Sequence, residues 1–115
     1  MVVLGACAPT PPTPQSPYAR DLEPLLLACT SCHNANNLSG GLDMTNIQAL
    51  IGEPSRQSDL PLIEPGNHLR SYLWHKVSGT QSIAGGLGQR MPALDQWSED
   101  DIARLQNWID LGAPP

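Results

Sequence analysis

Two cysteines and a histidine stand close together in the segment "CTSCH", which runs from Cys29 to His33. Four kinds of chemistry use two cysteines at this spacing: dithiol redox exchange, a zinc site, a local disulfide and covalent attachment of haem. A redox pair belongs at the start of a helix that follows a strand, whereas a helical pattern precedes this pair. A zinc site usually needs four ligands, and the other candidates, Cys7, His68 and His75, show no pairing spacing. A local disulfide would leave His33 without a role.

The adjacent histidine therefore favours haem, since Cys-x-x-Cys-His is the attachment signature of c-type haem. Thioether bonds from Cys29 and Cys32 to the two vinyl groups would fix the macrocycle against one turn of chain. His33 would then lie beneath the iron and bind it as the proximal ligand. The motif predicts one covalent haem c with its iron as the cofactor.

A haem c also needs a sixth ligand or an open site, and the chain offers three methionines for that position. Met1 lies in the N-terminal lead. Met44 follows His33 so closely that the chain cannot easily pass around the haem edge. Met91 lies between the glycine-rich "GGLGQR" and Pro92, where backbone can approach a porphyrin closely and present sulfur at a fixed point. On this pattern alone, a gap-filling role for Met91 is an equal alternative to iron ligation.

The composition fits a small domain built around a cofactor. The 115 residues contain no Phe, three Trp and two Tyr, so few large aromatic side chains are present to fill a core. The net charge of −5, with one Lys and five Arg, argues against non-specific nucleic-acid binding. No apolar run approaches the roughly 20 residues that span a bilayer.

Residues 1–17 differ from the rest, with an apolar start followed by the proline-rich "APTPPTPQSP". This lead predicts an extended spacer ahead of a single domain at residues 18–115. The segment "LGAC" resembles a bacterial lipobox and makes Cys7 a candidate lipidation site, although the stretch before it is shorter than a signal peptide needs. An incidental cysteine is the alternative. The expected membrane association is by this lipid anchor, without a transmembrane helix.

Four helical segments can be predicted in residues 18–115, joined by long loops, and no strand pattern is evident. They are the run from about Asp21 through "LEPLLLACTSCH", then "TNIQALIG", "HLRSYLWHKVSG" and "SEDDIARLQNWIDLG". The last is the clearest, because Ser98 is a good N-cap, acidic residues fill the first turn and Gly112 ends the pattern. The predicted fold class is all-α, with about four helices.

Residues 18–115 resemble a small mono-haem cytochrome c of the class I-like bacterial type. The resemblance rests on "CTSCH", on "SYLWHKVSG" from Ser71 to Gly79, on Met91–Pro92, and on "WIDLGA" from Trp108 to Ala113. The first motif is specific for haem c, and the others gain specificity from their order. Where many relatives have "MPP", this chain has "MPA", and it carries more residues between His33 and the third predicted helix than the shortest cytochromes.

The resemblance implies a cytochrome c fold, in which the first and last helices cross over the haem, and it implies that Met91 is the distal ligand. Leu73, Trp74 and Trp108 are predicted to contribute to the apolar haem pocket. Arg70, Lys76 and Arg90 are candidates for neutralising the haem carboxylates, with surface solubility as the alternative. In relatives a backbone carbonyl, often of a proline, orients the proximal imidazole, and the sequence does not identify which proline would do so here.

The predicted function is electron transfer between a donor and an acceptor redox protein, and not enzymatic catalysis. Attachment of haem c occurs outside the cytoplasm, so the expected location is the periplasm or the cell surface. Two other functions are consistent with the motif: a haem sensor or peroxidase-like protein with an exchangeable sixth ligand, and an accessory electron-entry subunit of a larger respiratory or photosynthetic complex.

Overall fold

The computed structural model describes Ser16 and residues 18–38 and 41–115. Its α-helices are short: α1 spans Glu23–Leu26, α2 Tyr72–Ser78 and α3 Glu99–Asp110. A two-stranded antiparallel sheet pairs β1, His33–Asn34, with β2, Asn37–Leu38. A π-helix covers Tyr18–Leu22, and 3₁₀-helices cover Leu27–Ser31, Ile47–Leu50 and His68–Arg70. The prediction of an all-α fold with about four helices is therefore wrong, since the described residues hold three short α-helices and a small sheet.

The first helical run changes type because its own side chains compete for the backbone. The hydroxyls of Thr30 and Ser31 donate to the carbonyls three residues earlier, at 2.7 and 2.9 Å. Such bonds offer the backbone an alternative to the regular helix ladder. The run ends as a 3₁₀-helix, and a turn follows in which Asn34 Oδ1 accepts from the N–H groups of Asn36 and Asn37. This asparagine turn joins β1 to β2.

The third predicted helix is interrupted at Ser71, which has extended backbone angles and is fully buried. Its hydroxyl accepts from the N–H of Glu64 at 2.8 Å and donates to the carbonyl of Asn67 at 2.9 Å. The next two N–H groups donate to the carbonyls of Pro61 and Leu62 instead of to a preceding helical turn. The first N–H groups of α2 therefore donate to a loop segment that lies about ten residues earlier in the chain.

Helix α3 agrees closely with its prediction. Ser98 Oγ accepts from the N–H of Asp101 at 3.2 Å, which caps the first turn. Trp97, just before the cap, is buried, and Ile102 packs against the same core, as in a hydrophobic staple. At the other end Gly112 takes a positive φ of 102°.

The core joins the beginning and the end of the domain. The Tyr18 ring packs on Trp108 of α3, with centroids 5.6 Å apart, and the π-helix contacts α3. Leu22, Leu105 and Ile109 are fully buried between these elements. Contact between the first and last helical elements is thus present. None of the helices in the described part of the chain is both long and apolar enough to cross a membrane.

Candidate functional site

A cavity of about 1070 Å³ collects most of the predicted site residues. Cys29, Cys32, His33, Leu73 and Met91 all line it. This volume lies just above the range of roughly 300–1,000 Å³ that is typical of small-molecule sites. Most of the wall comes from four parts of the chain, namely residues 24–33, residues 41–57, helix α2 and residues 91–97, and Leu62 and Asp101 complete it. The fold therefore brings together the cysteine motif, Cys29 to His33, and the methionine loop, which is the loop between α2 and α3 that carries Met91. His33 and Met91 are nearly sixty residues apart in sequence.

The two cysteines are free thiols with different surroundings. Cys29 is half-buried, whereas Cys32 is exposed. Burial raises the pKa of the Cys29 thiol above its ordinary value. The N–H of Cys32 donates to the carbonyl of Cys29 at 3.3 Å, which keeps the pair on one turn. Both side chains are therefore available for bonding to one ligand in the cavity.

His33 begins β1 directly after this turn and is half-buried. Its Nδ1 is buried, and no described residue forms a hydrogen bond with it. The expected orienting carbonyl is thus absent among the described residues, and the Pro61 carbonyl accepts from Tyr72 instead. Among the described residues, three other buried side-chain atoms also lack a partner, and of these four residues His33 alone lines the cavity. Such an atom calls for an explanation, which a ligand held in the cavity would provide.

Met91 enters the cavity on a loop that is attached to helix α2. Its N–H donates to the carbonyl of Lys76 at 2.9 Å, and Arg90 Nε donates to the carbonyl of Val77, also at 2.9 Å. Lys76 Nζ donates to the carbonyl of Leu87 at 2.8 Å, earlier in the same loop. Gly79 ends α2 in the left-handed conformation, with φ 83°, and so allows the chain to turn back. The loop is therefore fixed to α2 at the methionine and in the residues just before it.

Met44 also lines the cavity and is only 4 % exposed. Its N–H donates to the carbonyl of His33 at 2.7 Å. The cavity thus contains two thioether sulfurs, and Met44 is attached to the histidine segment while Met91 is attached to α2. The sequence argument against Met44 as a distal ligand is consistent with this attachment.

Neither His68 nor His75 lines the cavity. His68 Nδ1 lies 2.9 Å from both carboxylate oxygens of Asp110. His75 is only 7 % exposed, and its ring nitrogens lie 2.7 Å from Thr80 Oγ1 and from the carbonyl of Leu69. His75 is therefore buried, and both imidazoles are engaged away from the cavity.

The tryptophans are distributed differently from the prediction. Trp74 and Trp108 lie outside the cavity lining, and Trp97, which sequence reasoning did not select, lies within it. Trp74 packs edge-on between the rings of His68 and His75, at centroid distances of 4.8 and 5.0 Å. Trp108 donates to the Pro114 carbonyl at 2.7 Å. The position of Trp97 just before the Ser98 cap was the available signal, because a residue there packs back onto its helix.

Polar residues in the cavity wall were also missed. Tyr72 OH donates to Gln57 Oε1 at 3.1 Å, and Lys76 Nζ donates to the same oxygen at 2.9 Å. Tyr72 and Lys76 are four residues apart on α2 and so share one face. Burial raises the pKa of Tyr72 and lowers that of Lys76. An added Cβ at buried Gly86 would overlap the Tyr72 hydroxyl, so the methionine loop also packs closely on this network.

The donor set of the cavity fits a c-type haem better than a bare metal ion. Two thiols suit thioether bonds, and an imidazole and a thioether suit axial ligation of iron. Within residues 18–38 and 41–115, no three His, Cys, Asp or Glu side chains converge as a metal site. The candidate lipidation residue Cys7 lies outside the described residues.

Comparison with known proteins agrees with this chemistry. Residues 29–84 match the family model described as "Planctomycete cytochrome C". The match includes both cysteines, His33, Gln57 and Lys76, and it ends before Met91. No curated protein and no solved structure matches the chain. The match supports a cytochrome c-like domain and, at that level, haem c as cofactor in electron transfer.

Proposed function

We propose that the protein is an electron carrier with one haem c, bound covalently through Cys29 and Cys32. In this proposal His33 is the proximal ligand of the iron and Met91 the distal ligand. The observation that carries it is that all four side chains line one cavity. A bound haem of this kind supplies an iron that accepts and releases one electron.

The surrounding residues would keep the site rigid and dry. Met44, Leu73 and Trp97 are at most 8 % exposed and line the cavity, so they would limit the access of water to a haem bound there. The Met91 backbone is fixed to α2 and the His33 backbone to Met44, which limits the movement of both ligand segments. Because the ligand segments and the surrounding residues would already be in place, little of the protein would have to rearrange when the iron gains or loses an electron.

The proposal places the carrier in the periplasm or at the cell surface, between a donor and an acceptor redox protein. Cys7, through a lipid, would tether the domain to a membrane by the proline-rich segment that follows it. A tethered domain would act as a relay close to its partners, and this arrangement also suits a subunit of a larger electron-transfer complex.

Covalent attachment and axial ligation can be tested together. The full chain is produced with a cytochrome c maturation system, as wild type, Cys29→Ala/Cys32→Ala and the control Cys7→Ala. We expect haem that resists extraction by acidified organic solvent in the wild type and in Cys7→Ala, and none in the double variant. The wild-type spectrum is expected to be six-coordinate and low-spin. Extractable haem would contradict the attachment, and a high-spin spectrum would favour a ligand-binding protein over a carrier.

A further inference from the structure

One part of the wall of the cavity described above is a cluster of hydrogen-bond donors. We infer that Arg56, Gln57 and Lys76 form a donor wall that binds the two propionate carboxylates of the haem. This inference rests on the proposed function, since it assigns a place to one part of the proposed cofactor. All three residues line the cavity that contains Cys29 and Met91.

The hydrogen bonds within the wall leave several donors unused. Gln57 Oε1 accepts from both Tyr72 OH and Lys76 Nζ, so the acceptor side of the amide is occupied. Its Nε2 group donates to no described residue. Lys76 carries three N–H donors and uses two of them, on Gln57 and on the Leu87 carbonyl. Donors remain where acceptors are already satisfied, and this arrangement suits an acceptor-only group such as a carboxylate.

Arg56 adds a second cation beside Gln57. Its guanidinium has neither an ion pair nor a hydrogen bond to any described residue. It packs over Gly41, where an added Cβ would come within 2.7 Å of a guanidinium nitrogen. Glycine at position 41, with φ 74°, therefore leaves space for the arginine at the cavity wall. A planar guanidinium with five donors matches a carboxylate geometrically.

The charges on the rest of the lining do not compete for these cations. The cavity is also lined by the carboxylates of Asp43, Glu53, Asp95 and Asp101. Asp43 accepts from Thr45, and Asp101 pairs with Arg104 at 3.6 Å. No ion pair joins Glu53 or Asp95 to the wall among the described residues. Arg56 and Lys76 are thus two cations without a carboxylate partner, and the proposed haem brings two carboxylates.

The wall is polar on its other side as well. Arg56 and Gln57 also line a second cavity of about 400 Å³, together with Ser55, Ser58 and Asp59. A carboxylate at the wall would therefore lie between an apolar cavity and a polar one. Such a position lowers the cost of burying a charged group, because hydrogen bonds and solvent remain within reach.

The test uses holo-protein whose haem carries carbon-13 only at the propionate carboxyl carbons, supplied through labelled 5-aminolevulinate. Infrared difference spectra between the oxidised and reduced states identify the labelled carboxylate bands. The variants are Arg56→Gln, Gln57→Leu and Lys76→Met, and Arg70→Gln is the control, since Arg70 is exposed and outside the cavity lining. We expect shifted labelled bands in the three wall variants and unchanged bands in the control.

The midpoint potential gives a second readout. Loss of a cation beside the haem disfavours electron uptake, so Arg56→Gln and Lys76→Met should lower the potential more than Arg70→Gln does. Suppose that haem is attached and methionine is bound, but the labelled bands are unchanged in Arg56→Gln and Gln57→Leu. This result would overturn the inference and leave the proposed function intact. Absence of covalent haem in the wild type would instead overturn the proposed function. If Lys76→Met does not mature into holo-protein, the labelled bands of Arg56→Gln still test the inference, because Arg56 is exposed and its replacement should not prevent folding.

Discussion

The backbone N–H of Met44 donates to the carbonyl of His33 across 2.7 Å, so the second methionine of the cavity is attached to the proximal segment. Met91, by contrast, is attached through its own N–H to the carbonyl of Lys76. The two thioethers therefore enter the cavity from different elements. Only one of them, Met91, comes from a part of the chain that is independent of the His33 strand.

Replacement of Met91 by Ala should remove the distal ligand, and replacement of Met44 should not. We expect Met91→Ala to lose the weak ferric charge-transfer band of methionine-bound haem and to have a lower midpoint potential, because Met/His ligation raises the potential. Met44→Ala should keep the band and lose about 2–5 kcal/mol of unfolding free energy as a core truncation. Absorption spectra, potentiometry and urea unfolding measure these effects. Loss of the band in Met44→Ala alone would reverse the assignment.

The parts of the fold that could be predicted well are determined by residues that are adjacent in the sequence. Helix α3 has its cap, acidic first turn and terminal glycine within one segment, and the motif from Cys29 to His33 is itself five residues long. The start of α2 could not be predicted in this way. It depends on carbonyls of Pro61 and Leu62, which only the folded chain brings to it.

The same limit applies to the site. Gln57 and Tyr72 are fifteen residues apart and meet only through the loop that precedes α2. Nothing in the local pattern around Gln57 distinguishes it from a solvated glutamine. Trp97 and Trp108 lie at opposite ends of α3, and their different surroundings depend on which end reaches the cavity. Residues at or beside the two ends of one helix can thus be predicted as buried without any indication of what covers them.

Gly86 tests how closely the methionine loop packs on α2. An added Cβ would overlap Tyr72, and overpacking of this kind costs about 1–3 kcal/mol. Gly85→Ala is the control, since no heavy atom lies within 4 Å of its added Cβ although its φ of 80° costs about 1 kcal/mol in strain. We expect both variants to lose stability, and only Gly86→Ala to weaken the methionine charge-transfer band as well. Equal band intensity in the two variants would contradict the close packing.

The pair of His68 and Asp110 should contribute a small, pH-dependent stability. Burial by itself would raise the pKa of Asp110, but hydrogen bonds and charge from His68 outweigh it and lower that pKa. A carboxyl with a depressed folded pKa stabilises above its unfolded value of about 3.9, and the contribution is lost as the pH falls through the folded pKa. Because the pair is partly exposed, its coupling should stay below about 1 kcal/mol.

A double-mutant cycle isolates this coupling. Urea unfolding of the wild type, Asp110→Asn, His68→Gln and the double variant would be measured at neutral pH and in acid. We expect a positive coupling energy above about pH 4 that disappears in more acidic solution. A coupling that persists once the carboxyl is protonated would show that the side chains interact by packing and not by charge.

Trp97 and Trp108 offer a matched pair for locating the cavity wall. Both are buried, at 8 % and 3 % exposure, and either change to Ala should cost about 3–5 kcal/mol in unfolding free energy. Only Trp97 lines the cavity, so only Trp97→Ala should admit water beside the haem and lower its midpoint potential, because solvent stabilises the more positive oxidised iron. Trp97→Phe and Trp108→Phe keep most of the core if the alanine variants fail to fold. Potentiometry and urea unfolding of the four variants separate the effect on the midpoint potential from the effect on stability. Equal shifts of the midpoint potential at both positions would contradict the placement of the cavity wall at Trp97.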